Sequence, residues 1–334
     1  MRVIVDAYGG DNAPLEIIKG AALAVKDFNI DITLVGKENE IRRIMSENKI
    51  SDKNIAIVNA DEVLGMETDP MTAVRSGKET SLIKGLYLLA DGEGDAYVSA
   101  GSTGALMIGA SLIIKRIKGV RRAALATIVP TVSGMYFLLD AGATVEVTPE
   151  ILTQFGLMGS VYMEKVENRE SPRVGLVNIG TEENKGTELH RETYSLMKKA
   201  PFNFIGNVEG RDLPVGGCDV AVADGFTGNV LLKVTEGMGI LTKSILKELF
   251  TCNLLTKLGA LSAKKKMAKV KAAMDYSTYG GAPLMGIRKP VIKAHGSSKA
   301  NAIYNAVRQA VKYTENDVIG IIENSLLSED EAEK

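Results

Sequence analysis

Residues 96–105 read Ala96-Tyr97-Val98-Ser99-Ala100-Gly101-Ser102-Thr103-Gly104-Ala105. The apolar run Ala96–Ser99 predicts a short β-strand, and the apolar period of Ala105–Ile114 predicts a helix. A polar, glycine-rich loop joins the two. This strand–loop–helix unit recurs along the chain, and such alternation is typical of a mostly parallel sheet covered by helices. The sequence therefore predicts an α/β fold.

Short apolar runs and stretches of helical period extend this prediction over the chain. Further strands are predicted at Val3–Asp6, Ile32–Val35, Ile55–Val58, Leu125–Val129, Tyr136–Leu139, Val174–Val177, Phe204–Val208 and Val220–Ala223. Further helices are predicted at Leu15–Phe28, Ser81–Ala90, Ile151–Val166, Leu189–Lys199, Val230–Leu249 and Ser298–Tyr313. Several strands are continuous Val, Ile and Leu runs, which is expected of strands that are covered on both faces.

The composition is that of a globular protein with a substantial core, since 45% of the 334 residues are hydrophobic and 24% are charged. We expect one catalytic α/β domain over residues 1–325. The sequence is compatible with two lobes that change near residues 150–170. A basic amphipathic tip is expected at residues 252–274, and an acidic, frayed tail at residues 326–334.

Composition also argues against several classes of function. The net charge of -1 disfavours a nucleic-acid-binding protein, which would be strongly basic. The two cysteines, Cys218 and Cys252, cannot form a disulfide framework, and neither has metal-ligand spacing. With only two histidines, His190 and His295, a His-rich metal site is excluded. The N-terminus does not read as a signal peptide and no run of about 18 apolar residues occurs, so a cytoplasmic location is expected.

Four glycine-rich polar loops follow predicted strands, and each leads into a helical segment. They are Asp6–Pro14, Ser99–Gly104, Asn178–Gly186 and Asp224–Asn229. Glycine lets backbone N–H groups approach a ligand, and a helix N-terminus favours an anion. If the four strands end at one sheet edge, the loops converge there, and a phosphate or phosphate-like ligand is expected. For any single loop, plain helix capping explains the same residue types. The nucleotide motifs G-x-x-x-x-G-K-[ST] and, after the first strand, G-x-G-x-x-G do not occur.

Other segments carry groups that are capable of chemistry. Tyr279–Gly286 is expected to be a flexible apolar loop, and Ala294–Ser298 to lie between a short strand and a helix. His295 could act as a general base or bind phosphate, or it could be a capping histidine. Arg75 offers a cation to a ligand, or is a surface charge. As a nucleophile, Cys218 would need a nearby base or cation, and it is interpreted instead as a buried inert thiol.

Taken together, the polar motifs resemble those of the bacterial phosphate acyltransferase family, the acyl-(acyl-carrier-protein):phosphate acyltransferases of phospholipid synthesis. The resemblance runs from Asp6 to about Gln309. Its motifs are Asp6–Pro14, Ser99–Ala105, Val174–Gly186, Gly206–Gly210, Asp224–Lys233, Tyr279–Gly286 and Ala294–Ser298. The chain departs from the family at Tyr8, where Met is usual, at Ser102, where Asn is usual, and at Ala123, where Pro is usual.

The resemblance implies a Rossmann-like α/β/α sandwich, similar to isopropylmalate-type dehydrogenases and phosphotransacetylases, that works as a homodimer. It implies that acyl carrier protein thioester and inorganic phosphate give acyl phosphate, with a glycerol-3-phosphate acyltransferase as the downstream enzyme. No metal or nucleotide cofactor is expected. Three alternatives stay open: a phosphotransacetylase-like enzyme that uses acyl-coenzyme A, a nucleotide-dependent dehydrogenase, and a non-catalytic scaffold that binds lipid or carrier protein. The missing dinucleotide motif argues against the dehydrogenase.

The resemblance favours Lys185 and Asn229 as the catalytic pair, and both lie on loops that follow predicted strands. Lys185 is expected to neutralise phosphate, and Asn229 to hydrogen-bond the thioester carbonyl or the phosphate. We expect direct attack by phosphate, because the chain lacks G-x-S-x-G and a convincing Cys–His pair. The predicted substrate-binding residues are Gly9, Gly10, Asp11, Asn12, Arg75, Ser99, Gly101, Ser102, Thr103, Asp224, Thr227, His295 and Ser297.

The segment Cys252–Met274 holds no acidic residue and has an apolar stripe with lysines beside it. This pattern is typical of an amphipathic helix or helical hairpin that lies on a membrane. We expect peripheral association with the anionic inner face of the cell membrane. Docking of the acidic carrier protein and packing against a dimer partner are the alternatives. The expected contact residues are Leu254, Leu258, Leu261, Lys257, Lys264 and Lys265.

Overall fold

The structure is a computed structural model that describes residues 1–65, 68–253, 256 and 280–332. Its strands are β1 (Arg2–Asp6), β2 (Asp31–Gly36), β3 (Ile55–Asn59), β4 (Ala96–Ser99), β5 (Ala124–Thr131), β6 (Gly134–Leu139), β7 (Val174–Asn178), β8 (Phe204–Glu209), β9 (Val220–Val222), β10 (Ala282–Met285) and β11 (Val291–Lys293). Its helices are α1 (Leu15–Phe28), α2 (Glu38–Glu47), α3 (Pro70–Ser76), α4 (Ser81–Ala90), α5 (Thr103–Gly109), α6 (Pro149–Lys165), α7 (Glu188–Met197), α8 (Gly225–Thr251), α9 (Ala300–Glu315) and α10 (Val318–Ala332).

The predicted strands and helices are confirmed to within a few residues at most ends, and α1, α4 and β4 have the predicted bounds. The predictions omit α2, which is highly charged, α3, which is short, and α10. The expected flexible loop Tyr279–Gly286 is wrong over Ala282–Met285, because β10 finds strand partners on both sides. At the C-terminus, α10 continues to Ala332, so the backbone of the predicted acidic tail is helical up to that residue.

In the described residues, eleven strands form one sheet in the order β3-β2-β1-β4-β11-β10-β5-β6-β9-β7-β8. The first five strands of this order run parallel to one another, and so do the last four. Between the two sets, β10 is antiparallel to both β11 and β5, and β5 is antiparallel to β6. Most pairings are therefore parallel, but three reversals turn the second set opposite to the first.

The expectation that four loops meet at one sheet edge is therefore wrong. The carboxyl ends of β1, β4 and β11 point to one edge, whereas those of β7 and β9 point to the other. Hydrophobic period indicates that a segment is a strand but not the direction in which it runs. The loops consequently form two groups, one at each edge.

Helices cover both faces of the sheet. Successive side chains of a strand point to opposite faces, so a strand can pack against helices on both sides. On β1, Val3 and Val5 pack under α1 and α9, whereas Ile4 packs under α4. On β6, Phe137 packs under α6, whereas Leu138 belongs to the buried cluster on the opposite face. This arrangement confirms the predicted α/β/α sandwich.

Helix α8 is 27 residues long, and its buried residues, Gly225 and Gly228, lie at its start. Large apolar side chains are exposed along it: Phe226, Val230, Val234, Met238, Ile240, Leu241, Ile245 and Leu249. Among the described residues, no helix is long and apolar enough to cross a membrane. The predicted tip follows α8, and its expected contact residues lie outside the described residues: Leu254, Lys257, Leu258, Leu261, Lys264 and Lys265.

Candidate active site

The carboxylate of Asp6, at the end of β1, is the centre of a buried polar cluster. Asp6 is 1% exposed. The hydroxyls of Ser81 and Ser99 each donate to it at 2.6 Å, and the N–H of Tyr8 donates at 3.2 Å. Burial raises the pKa of Asp6, and these hydrogen bonds and the charge of Lys293 oppose the rise. We define the Asp6 corner as Asp6, Ser81, Ser99, Gly101 and Lys293.

Two glycines let the loop after β1 lie directly on the Asp6 corner. A Cβ atom at Gly9 would lie 2.6 Å from Asp6 Oδ2 and 2.6 Å from the backbone nitrogen of Gly101. Gly10 has a φ of +94°, and a Cβ atom there would lie 2.7 Å from the carbonyl oxygen of Gly296. The structure thus brings the predicted residues Gly9, Gly10 and Gly101 together where β1, β4 and β11 end.

Hydrogen bonds hold the loop after β11 against the loop after β1. The N–H of Asp11 donates to the carbonyl of Gly296 at 2.8 Å. The side-chain amide of Asn12 donates to the carbonyls of Ser297 at 3.0 Å and of Ser298 at 3.3 Å. The amide nitrogen of Asn12 is thus engaged in joining the two loops.

His295 lies in this second loop and contacts Ser297. Its Nδ1 accepts the backbone N–H of Ser297 at 3.2 Å and lies 2.9 Å from the Ser297 hydroxyl. Burial lowers the pKa of His295, and the charge of Lys293 lowers it further. The neutral ring is therefore favoured. Since Nδ1 accepts the N–H of Ser297, a neutral ring carries its proton on Nε2.

The loop after β4 ends at the N-terminus of α5. Ser102 caps this helix, its hydroxyl accepting a first-turn N–H at 3.4 Å. Serine and asparagine cap helices about equally well, so the departure from the family's usual Asn preserves this role. Thr103 is exposed beside it. Arg75 is exposed on α3, which lies next to α5 because Gly104 packs on Pro70.

A second buried carboxylate, Asp140, supports the start of α8 at the other edge of the sheet. It accepts backbone N–H groups from Leu125, Gly142, Ala143 and Thr144. Burial raises the pKa of Asp140, and these hydrogen bonds oppose the rise. A Cβ atom at Gly228 would overlap the carbonyl oxygen of Asp140, so glycine is required for α8 to begin in this position.

Asp224 is the N-cap of α8. Its Oδ1 accepts the N–H groups of Phe226 and Thr227 at 2.9 Å each, and its Oδ2 accepts the hydroxyl of Thr227 at 2.6 Å. The predicted substrate-binding residues Asp224 and Thr227 therefore bond to each other and fix the first turn of the helix.

Lys185 lies in the loop after β7, whose backbone is held by two asparagines. The side-chain amide of Asn178 donates to the carbonyl of Lys185 at 3.2 Å, and that of Asn207 donates to the carbonyl of Glu182 at 2.8 Å. The Lys185 side chain is 46% exposed, and its Nζ lies 3.9 Å from Glu182 Oε1. The loop is therefore fixed at its backbone, whereas the lysine side chain is weakly held.

Asn229 is exposed in the second turn of α8. No hydrogen bond or ion pair within the described ranges joins it to Lys185. His190 connects the two segments, because Gly186 packs against it and the charge of Asp224 acts on its ring. Burial nevertheless lowers the pKa of His190. We define the Lys185 face as Asn178–Gly186 together with Asp224–Asn229.

Helix α8 links the Lys185 face to the Asp6 corner. Lys233 and Glu236 lie roughly 12–17 Å along the helix from its start. Their charges act on His295, which adjoins the Asp6 corner. The two groups of loops therefore lie on opposite sheet edges, and the charges of Lys233 and Glu236 on α8 reach the loop that carries His295.

Cys218 is 1% exposed, and burial raises the pKa of its thiol to about 12. The predicted burial of Cys218 is confirmed, and the raised pKa disfavours the reactive thiolate. In the part of the chain that the structure describes, no three or more His, Cys, Asp or Glu side chains are grouped so that they could hold a metal ion.

Sequence reasoning missed several polar residues that build the two regions. Three of them share one signal, which is a polar residue within or directly after a buried apolar run. Asp140 follows the run of β6, and Lys293 ends the short run of β11. Asn207 lies within β8, is 6% exposed, and has an Oδ1 without a hydrogen-bond partner among the described residues. Ser81 carries no such signal, because it opens a helix.

A family profile described as "Fatty acid synthesis protein" matches residues 1–320. Among solved structures, a phosphotransacetylase from Streptococcus pyogenes matches with a TM-score of 0.67 and 17% identity over 94% of each chain. A 4-hydroxythreonine-4-phosphate dehydrogenase from Klebsiella pneumoniae matches with a TM-score of 0.55 and 13% identity over 94% of this chain and 99% of that one. These two similarities concern the fold.

Sequence relatives match at much higher identity. A phosphate acyltransferase from Thermoanaerobacter pseudethanolicus is 50% identical over 329 residues, which is 98% of each chain. One from Alkaliphilus oremlandii is 46% identical over 335 residues, which is 100% of each chain. The chain therefore belongs to the phosphate acyltransferase family.

Proposed function

We propose that this chain moves a fatty acyl group from the thioester of acyl carrier protein to inorganic phosphate. The observation that carries the proposal is its 50% identity, over 98% of the chain, to a phosphate acyltransferase. The product is an acyl phosphate, and we propose that a glycerol-3-phosphate acyltransferase consumes it in phospholipid synthesis.

The reaction can proceed by direct attack. An oxygen of hydrogen phosphate bonds to the thioester carbonyl carbon, the carbon–sulfur bond then breaks, and the phosphate proton passes to the departing thiolate. Because phosphate is already an anion, no strong base is required. The protein must instead hold the two substrates together, which can supply about 7–11 kcal/mol. It must also donate hydrogen bonds to the tetrahedral oxyanion, each worth about 2.7–4 kcal/mol.

We assign these tasks to residues of the Lys185 face. Lys185 neutralises phosphate, and Asn229 hydrogen-bonds the thioester carbonyl or the phosphate. In support, the ion pair of Lys185 with Glu182 is long and half exposed, so the ammonium can turn to a bound anion at little cost. The loops of the Asp6 corner, with Arg75 and His295, are proposed to bind the rest of the substrates.

Direct attack is favoured over an acyl-enzyme. A thiol with a pKa of about 12 is neutral near pH 7, so Cys218 is a poor nucleophile. A hydroxyl candidate is Ser297, whose Oγ lies 2.9 Å from His295 Nδ1. Incubation with acyl donor in the absence of phosphate separates the two mechanisms, because an acyl group trapped on Ser297 would contradict direct attack.

The activity is tested with two donors, palmitoyl-carrier protein and acetyl-coenzyme A, each with phosphate. Acyl phosphate is measured as its hydroxamate. The proposal predicts rapid product formation with the carrier-protein donor. Product from acetyl-coenzyme A alone would instead indicate a phosphotransacetylase, and absence of product from both donors would favour a non-catalytic scaffold.

We further propose that the protein is a homodimer that binds the anionic inner face of the cell membrane peripherally. The exposed apolar row of α8 supports self-association. The acid-free, lysine-rich composition of residues 252–274 supports membrane contact. Co-sedimentation with anionic liposomes tests the membrane proposal with a variant in which Leu254, Leu258 and Leu261 are polar. If that variant binds normally, the membrane proposal fails, and if it becomes monomeric, packing at the dimer interface is the better account.

A further inference from the structure

Lys293 ends β11 and is only 8% exposed. Its Nζ donates to the carbonyl oxygen of Ala100 at 3.3 Å and also to that of Ala294. Ala100 belongs to the loop after β4, and Ala294 begins the loop after β11. One buried ammonium group therefore joins two loops that both carry predicted substrate-binding residues.

The charge of this ammonium is balanced within the same corner. Asp6 and Asp11 both act on it electrostatically. Asp6 accepts the hydroxyl of Ser99, which accepts the N–H of Gly101 at 3.0 Å. That N–H and the Ala100 carbonyl belong to one peptide group. The chain of contacts thus runs from the carboxylate through a hydroxyl and a peptide to the ammonium, whose charge acts in turn on the carboxylate.

The charged form of Lys293 is the one that this arrangement requires. Hydrogen bonds from an ionised donor are roughly twice as strong as those from a neutral one. A neutral amine would bind the two carbonyls less strongly and would remove a positive charge that acts on the buried Asp6 carboxylate. The loops that surround Asp6 would then be held less firmly.

We propose that Lys293 is a positioning residue for acyl transfer, whose ammonium charge holds the Ser99–Thr103 and Ala294–Ser298 loops in the arrangement that binds substrate. The inference rests on the proposed function. Lys293 does not itself need to touch the reacting atoms. Its effect passes through the loop that carries His295 and through the N-terminus of α5.

Activity should therefore fall as Lys293 loses its proton. Burial lowers the pKa of Lys293 to about 8, against the opposing effects of Asp6 and Asp11. The other titratable groups around it are His295 and, through His295, Lys233 and Glu236. The pKa of His295 is lowered, so its ring is already neutral where Lys293 titrates.

Stability should change in the opposite direction over the same pH range. The pKa of Lys293 lies lower in the folded chain than the ordinary value of 10.5. Between these two values the unfolded chain binds more protons, so the contribution of Lys293 to stability rises with pH. A purely structural role would make activity follow stability, whereas the positioning role separates them.

The experiment measures kcat/KM against pH for the wild type and for Lys293→Arg, with thermal unfolding of the same samples. In the wild type we expect a fall approaching tenfold per pH unit above about pH 8. The arginine keeps its charge throughout this range, so the fall should be absent or moved to higher pH. Lys299→Arg is the matched control, because Lys299 is exposed on the same segment and should keep the wild-type profile.

Lys293→Met keeps the length of the aliphatic stem and removes the charge. We expect kcat/KM to fall about 10–100-fold at pH 7, as for displaced binding groups, without the alkaline limb. This variant provides the test if the arginine does not fit. The inference is overturned if kcat/KM falls at the same alkaline pH in the wild type and in Lys293→Arg, or if Lys293→Met is fully active. Absence of acyl phosphate from the wild type at every pH would instead overturn the proposed function.

Discussion

In the Asp6 corner, a carboxylate, two hydroxyls and an ammonium are buried and hydrogen-bonded to one another or to adjoining backbone. In the Lys185 face, the two residues assigned to catalysis are exposed, and Lys185 has its ion-pair partner at 3.9 Å. The first region is completed when the chain folds. The second has a fixed backbone, but the exposed side chains of Lys185 and Asn229 can reorganise around a bound anion.

This difference separates two kinds of effect. Removing a group from the Asp6 corner leaves a buried polar partner unsatisfied, which typically costs about 1–3 kcal/mol of stability. Removing an exposed side chain from the Lys185 face leaves no such partner. Substitutions of the exposed residues Lys185 and Asn229 should therefore lower activity while leaving the melting temperature almost unchanged.

The largest effect is expected for Lys185→Ala and Asn229→Ala. Each should lower kcat/KM by at least about 100-fold, the size of one lost transition-state donor. The melting temperature of each variant should stay close to that of the wild type, because both side chains are exposed. The measurements are initial rates with palmitoyl-carrier protein and thermal unfolding.

Lys198→Ala is the matched control for loss of a surface charge. Lys198 is 63% exposed, pairs with Glu183 at 3.0 Å, and is not among the predicted site residues. It should retain nearly full activity. If Lys185→Ala and Asn229→Ala are as active as this control, the catalytic site does not lie in the Lys185 face.

An intermediate effect, on the free energy of unfolding, is expected where the start of α8 packs against Asp140. Gly228→Ala forces a methyl group against the carbonyl of Asp140, and overpacking of this kind typically costs about 1–3 kcal/mol. In the same helix, a Cβ atom at Gly237 meets nothing within 4 Å. Gly237→Ala should therefore stabilise the protein by about 0.5–1 kcal/mol through helix propensity. Urea unfolding of both variants measures the difference in their stability. Equal unfolding midpoints would contradict the close packing of Gly228 on the Asp140 carbonyl.

The smallest effects on stability are expected for the two helix caps, Asp224 and Ser102. Asp224→Ala removes two N–H bonds of 2.9 Å and should cost about 1–2 kcal/mol. Ser102→Ala removes one bond of 3.4 Å and should cost about 0.5 kcal/mol or less. Asp224→Asn should keep the cap and hence the stability. If Asp224→Asn nevertheless loses kcat/KM, the charge of Asp224 acts on substrate and not only on the helix.

The sequence was sufficient for elements whose apolar residues recur regularly. The stripe of α1 and the apolar run of β4 define their own bounds, because burial on one face or on both faces leaves a clear pattern. It was insufficient for β10, where Pro283 and flanking glycines are typical of a loop. That segment is a strand because β11 and β5 offer partners on both sides, which is a property of the assembled sheet.

For the candidate site, the sequence predicted the polar loops that follow the strands but not how the fold groups them. Gly9, Gly10 and Gly101 were predicted and do meet. The groups at the centre of each region, Lys293 and Asp140, were not predicted, because a charged residue beside a short apolar run also suits a strand end at the surface. Their burial depends on contacts with distant parts of the chain, and periodicity carries no information about such contacts.

Because β11 lies between β4 and β10, the Asp6 corner can form only late in the synthesis of the chain. Lys293 and Ala100 are 193 positions apart in the chain, and Asn12 and Ser297 are 285 apart. While the chain is being made, β1 and β4 leave the ribosome long before β11 does, and domains fold only as their parts become available. Until β11 arrives, one side of β4 lacks its partner strand and the Ala100 carbonyl lacks the Lys293 ammonium. The Asp6 corner therefore cannot form until residues 291–298 have been synthesised, even if the N-terminal strands pair earlier.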